Sequence, residues 1–247
     1  MCTLEKRGDL FILTLTGESK QDQEHRLNPA LISSIRSALA EAKSQAVNGS
    51  ALVTVAEGRF FSNGFDLVHA QAVGVKAGSF EAARSELHRM VDLFRGVVSD
   101  LLSLPMPTIA AVTGHAAAAG LILAMSHDYV TMTSSKGVMY MSELDIGMTL
   151  PDYFMALIQG KLGSPGARRE LVLRAAKVRA EAAKGMGIVD SAHDSAEEAV
   201  DAAVRMAEEL GKRGWNGEAY AGIRKSLFPE VCRLLGVKNQ VVLPSKF

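Results

Sequence analysis

The stretch Pro105–Asp128, PMPTIAAVTGHAAAAGLILAMSHD, decides the fold. It opens on a Pro-x-Pro turn. Thr108–Val112 comes next, β-branched at three of its five positions, and reads as a short buried strand. Thr113-Gly114 breaks the run. Ala116–Met125 is almost wholly small or apolar and predicts an interior helix. Apart from His115, the turn between strand and helix carries no side chain suited to acid, base or nucleophilic work. Its small residues let a ligand approach the backbone, where N–H groups at the start of a helix lack intrahelical partners. Such a turn suits an anion or a developing oxyanion. It equally suits a tight packing corner, and the stretch alone leaves both readings open.

Upstream, Leu10–Thr16 predicts a first strand, and Glu18–Glu24 a polar loop. Asn28 and Pro29 are an N-cap and first helical residue, and Leu31, Ile32, Ile35 and Leu39 carry a helix to about Ala46. Ala51–Val55 is a second buried strand, so the chain opens β-loop-α-β, the pattern of a parallel α/β unit. Glu57–Leu67, EGRFFSNGFDL, places a second glycine-marked turn directly after that strand, with Gly64 free to take a positive φ and Asp66 placed to cap the next segment. Val68–Ser79 has no clear period and reads as an irregular, mobile stretch. Phe80 to about Leu104 is a long helix with Leu87, Met90, Val91, Phe94, Val97, Val98 and Leu101 along one stripe.

Downstream come a strand ending at Met132, the segment Gly137–Gly147, and helices at Tyr153–Leu162, Ala167–Arg174, Ala180–Gly187, Ala196–Leu210 and Gly217–Leu235. The 247 residues suffice for one large α/β domain with a helical appendage, here 1–194 and 195–247. Twenty-seven basic and 27 acidic side chains give no net charge, which argues against a general nucleic-acid binder. Cys2 and Cys232 have no metal-ligand or CxxC spacing, so neither a zinc site nor a disulfide framework is expected. No apolar run is long enough for a membrane span, and the N-terminal segment lacks a signal-peptide core. Ser245-Lys246-Phe247 fits the small–basic–apolar logic of a peroxisomal tripeptide, with a cytoplasmic location as the alternative.

The two glycine-marked turns, FFSNGFDL and LPMPTIAAVTGHAAAAGLILAMSHD, together with GIVDSAHD ahead of a helical tail, resemble the signature segments of the crotonase (enoyl-CoA hydratase/isomerase) superfamily. The resemblance covers nearly the whole chain. It implies an α/β fold with a ββα-spiral core, a C-terminal helical region used in a homotrimer or dimer of trimers, and an acyl-CoA thioester as substrate. No separate cofactor and no metal is implied, coenzyme A being part of the substrate. It implies an oxyanion hole of two backbone N–H groups, those of Phe65 and Ala119, with Ala118 or Gly120 as neighbouring alternatives to the latter. Asn63, Gly64, Gly120 and Ile122 would line the substrate pocket.

Hydratases of this superfamily carry two glutamates. Ile122 stands at the position of the first, and Glu143, in SELDIG, at the second. One retained carboxylate suits a proton shuttle from C2 to C4, so the chain resembles the Δ3,Δ2-enoyl-CoA isomerases with Glu143 as base. An enoyl-CoA hydratase, a dienoyl-CoA isomerase using Asp152, or a non-catalytic acyl-CoA-binding homologue are the alternatives. The apolar residues around Glu143 are expected to raise its pKa. Asp145 is expected to face away from it in an extended segment. Asp128, His115 and His69 are read as structural.

Overall fold

The computed structural model describes residues 1–17 and 23–239. Ser245-Lys246-Phe247 and most of the expected loop at Glu18–Glu24 lie outside them.

The chain runs β1 (Cys2–Arg7), β2 (Leu10–Leu15), α1 (Pro29–Ser44), β3 (Ala51–Ala56), β4 (Phe60–Ser62), α2 (Leu67–Ala77), α3 (Phe80–Leu102), β5 (Thr108–Val112), β6 (His115–Ala117) and α4 (Ala119–Met125). Then come β7 (Tyr129–Thr133), β8 (Met139–Tyr140), α5 (Asp152–Lys161), α6 (Pro165–Arg168, continued by a wider π turn), α7 (Ala180–Gly185), β9 (Ser191–His193), α8 (Ala196–Gly211), α9 (Gly217–Leu227) and α10 (Pro229–Leu235). Two sheets result, one in the order β1-β2-β3-β5-β7-β9 and a smaller one in the order β4-β6-β8. In the larger sheet only β1 is antiparallel to its neighbour. This is the mixed α/β spiral expected of the crotonase fold.

Local chemistry fixes several boundaries. The Asn28 side chain accepts from Leu31 N–H at 2.9 Å, with Pro29 at the first position of α1. Asp66 caps α2 by accepting from His69 N–H at 2.9 Å, and Gly78 ends it at φ 59°. The expectation of an irregular stretch at Val68–Ser79 is therefore corrected: it is helix as far as Ala77. Its buried positions are Ala70 and Gly74, and a Cβ on Gly74 would lie 2.6 Å from that of Ala83. A helix that packs through residues this small shows almost no apolar period.

Three further expectations are corrected. β1 was not expected; its outward residues are polar and it lies at a sheet edge, so it lacks an apolar signature. The segment expected as one helix from Ala116 begins as β6, which pairs with β4 and β8, and turns helical only at Ala119. The last long helix divides at Phe228-Pro229, where proline cannot continue the hydrogen-bond ladder.

The C-terminal helices pack back onto the rest. Ala203 and Ala207 of α8 lie in one apolar cluster with Leu10, Ile12, Val53, Ile109 and Ala111 on one face of the large sheet. Arg224 of α9 is buried and donates to the carbonyls of Leu101, Leu104 and Met106 while pairing with Asp128 at 2.6 Å. The helix-covered opposite face holds the larger core, including Phe11, Leu52, Phe94, Leu121, Ile122 and Phe154.

Candidate active site

The first turn leaves β4 with nearly every polar group engaged. Ser62 Oγ donates to the His25 carbonyl at 2.8 Å, and Asn63 N–H donates to the Glu24 carbonyl at 2.8 Å. Gly64, at φ 74°, donates to Ser62 Oγ, and its carbonyl accepts from Leu27 N–H at 2.7 Å. The next amide, that of Phe65, has no hydrogen-bond partner among the described residues.

The second turn is set by Ala118, at φ 52° and ψ −125°. Few L-residues adopt this conformation. It aims the Ala118 carbonyl along α4, where it accepts from Leu121 and Ile122 N–H at 3.0 and 3.2 Å. In a trans peptide the N–H points opposite to the C=O. The Ala119 N–H therefore points out of α4, and it has no partner among the described residues. Both turns touch: a Cβ on Gly64 would lie 3.3 Å from Ala119 N. Gly120 meets the Ser62 carbonyl so closely that no side chain fits there.

Glu143 sits on a hydrogen-bonded turn closed by Met148 N–H donating to its carbonyl at 2.8 Å. Its residue is 8% exposed, and Oε2 is buried with no partner among the described residues. Burial pushes its carboxyl above the ordinary range, against a smaller pull from its own and Ser142's N–H. Glu143 and Phe65 line one cavity of about 790 Å³, an ordinary size for a small-molecule site. Its walls come from α2, α3, the 143–151 loop and the start of α5, with Leu87, Val91, Met148, Leu150 and Phe154 forming much of the apolar surface. A carboxylate raised above its usual pKa, lining one cavity with Phe65, whose N–H is unpaired, is suited to abstracting a proton next to a carbonyl whose oxygen gains charge.

A model of the enoyl-CoA hydratase/isomerase family matches residues 20–227. The chain belongs to that family. It is 58% identical to enoyl-CoA delta isomerase 2, peroxisomal, of Arabidopsis thaliana over the full length of both chains. It is 52% identical to enoyl-CoA delta isomerase 1, peroxisomal, of the same plant, over 94% of this chain and 91% of the relative. Among solved structures, the apo form of an enoyl-CoA isomerase from Mycobacterium tuberculosis superposes with a TM-score of 0.80 at 23% identity, covering 95% of this chain and 94% of that one. That likeness shows the fold.

Within this family member the structure separates the expected site residues. Phe65 and Glu143 share the cavity, and Ala119 adjoins through Gly64. Asn63, Gly64, Gly120 and Ile122 are not among the cavity's described walls; Ile122 is fully enclosed in the core, and Asn63 donates to Glu24 at 3.1 Å. Asp152 does line the cavity, but Arg95 holds it at 3.1 Å. Asp145 is exposed on the turn rather than on an extended segment, which corrects that expectation.

Asp128 is structural. It accepts from Thr108 N–H and from Arg224; burial alone would raise its pKa, but the Arg224 charge and hydrogen bonds outweigh that and hold it below the usual carboxylate range. His115 accepts from Val138 N–H through Nδ1 at 3.2 Å, and burial, then the Arg59 charge, keep its pKa low. His69 pairs with Glu86 at 2.9 Å.

Sequence reasoning missed Phe154 and the α3 wall. Val91 and Leu87 were expected in the helical stripe, yet they face the cavity with Arg84, His88 and Arg95. The spacing 84, 88, 91, 95 was the available signal, since those positions share one helical face.

Proposed function

We propose that the protein is a Δ3,Δ2-enoyl-CoA isomerase with Glu143 as its single acid–base group. The observation that carries this reading is that Glu143 has a buried, unpartnered carboxylate oxygen in the cavity, whereas Asp152, the other carboxylate there, is tied to Arg95. The names of the relatives at 58% and 52% identity support it.

The thioester carbonyl oxygen lies between the N–H groups of Phe65 and Ala119. Glu143 takes a proton from C2, and the C2–H electron pair moves into a dienolate whose charge rests on that oxygen. The protonated Glu143 then gives the same proton to C4. The double bond has moved from C3–C4 to C2–C3 and nothing is consumed, so no cofactor enters and coenzyme A remains part of the substrate. Each oxyanion donor is worth roughly 3–4 kcal/mol of barrier. Ile122 stands where a hydratase would carry its other glutamate. With an apolar, enclosed side chain there, no second group activates water.

The same reading carries a peroxisomal location, which the relatives' names support. It also carries a homotrimer or dimer of trimers, supported by the outward-facing Ile223 and Leu227 of α9 and by Trp215 in the turn before it. Sedimentation of the purified protein measures the assembly.

The deciding experiment replaces Glu143 by glutamine. Double-bond migration of a 3-enoyl-CoA should vanish while affinity for a saturated acyl-CoA persists. Surviving isomerase activity, or faster hydration of 2-enoyl-CoA than isomerisation by the unaltered protein, overturns the reading.

A further inference from the structure

The Phe65 amide is carried on a turn that the rest of the chain must hold in place. Beside the hydrogen bonds of Ser62, Glu24 and Leu27, its own ring is packed. The Phe65 ring stacks on Phe154 at a centroid distance of 6.2 Å and an interplanar angle of 17°, and meets Phe94 edge-on at 5.7 Å and 89°. Phe94 and Phe154 meet edge-on at 6.0 Å. Phe94 and Phe154 are fully buried.

Phe154 lies in the first turn of α5, directly after the loop that bears Glu143, and its N–H donates to the Pro151 carbonyl at 3.1 Å. The ring thus joins two segments far apart in sequence, one bearing the Phe65 N–H and the other the Glu143 carboxylate. We propose that Phe154 is a positioning residue: its stack on Phe65 fixes the separation between the Phe65 N–H and the Glu143 carboxylate. This rests on reading those two groups as oxyanion donor and base. A backbone donor cannot be retuned by its own side chain's chemistry, so its placement depends on what the side chain packs against.

The test is a double-mutant cycle of Phe65→Leu and Phe154→Leu, reading kcat, KM and affinity for a saturated acyl-CoA. Either substitution should lower kcat about tenfold, because misplacing a reacting group by a fraction of an ångström is expensive, while affinity changes by less than about threefold. The double variant should be no slower than the slower single variant, since both remove one contact. Independent, multiplying effects, or wild-type kcat in the single variants, overturn the proposal. Leu157→Val, in the same helix and fully buried, is the packing control. It should lower the thermal midpoint and leave kcat unchanged; an equal loss of kcat there assigns the effect to general packing and overturns the positioning role. Should Phe154→Leu fail to fold, Phe65→Leu at its half-buried site decides alone by the same kcat-against-affinity split. Glu143→Gln separates the two claims: activity surviving that change removes the underlying reading, whereas its loss beside fully active Phe65 and Phe154 variants removes only the positioning role.

Discussion

A β-carbon on Gly64 would stand 3.3 Å from the amide nitrogen of Ala119 and 3.0 Å from the Ala117 carbonyl oxygen. The turn after β4 is therefore seated directly on the turn that opens α4, and each candidate donor is held against the other's turn. Gly64 is also at φ 74°, where a side chain is strained. Gly64→Ala should cost about 1–2 kcal/mol from the dihedral alone. The crowding should also part the donors and lower kcat about tenfold or more. Denaturant unfolding and steady-state kinetics measure the two effects separately; an unchanged kcat would show that the donors do not depend on this contact.

Ala118 makes the opposite case. Its φ of 52° costs a non-glycine residue about 1–3 kcal/mol, and glycine's greater freedom in the unfolded chain returns only about 0.5–1. Ala118→Gly should raise stability by about 1 kcal/mol with kcat nearly unchanged, because the Ala119 N–H belongs to the backbone. A lower urea midpoint would refute the strain.

Glu143 links activity and stability to pH with opposite signs. Its folded pKa lies above its unfolded value because burial penalises the charge. The folded state then binds more protons, and stability falls as pH rises from the ordinary carboxylate range through the raised folded pKa. Activity rises over the same window as the base ionises. Glu143→Gln should be inactive yet more stable than wild type above that window, with no difference below it. Thermal midpoints across pH measure this.

The Asp128–Arg224 pair ties α9 to the turn before β7, with side chains only 12% and 3% exposed. Arg224→Met strands a buried carboxylate and several carbonyls, and should cost roughly 3–5 kcal/mol. Since Arg224 holds the Asp128 pKa down, wild type should lose this stability as pH falls through the folded pKa, and the variant should lack that acid-linked loss. Guanidinium unfolding at two pH values checks both parts.

The sequence by itself determined the strand Thr108–Val112 and the helix that ends at Met125, the capping of α1 by Asn28, and the family to which the chain belongs. By resemblance to the superfamily it also aligned Ile122 and Glu143 with the two positions at which hydratases carry glutamate. These are local facts: period, turn dipeptides, caps and the chemistry of one side chain. Only the tertiary structure decided that Glu143 is buried without a partner, that Asp152 is held by Arg95 from 57 residues away, and that Phe65 is clamped by Phe94 and Phe154. It alone turned Val68–Ala77 into helix and His115–Ala117 into strand. The physical reason is one of range. Desolvation, ion pairing and ring stacking depend on which distant segments meet, and helices packed through alanine and glycine leave almost no periodic mark on the chain.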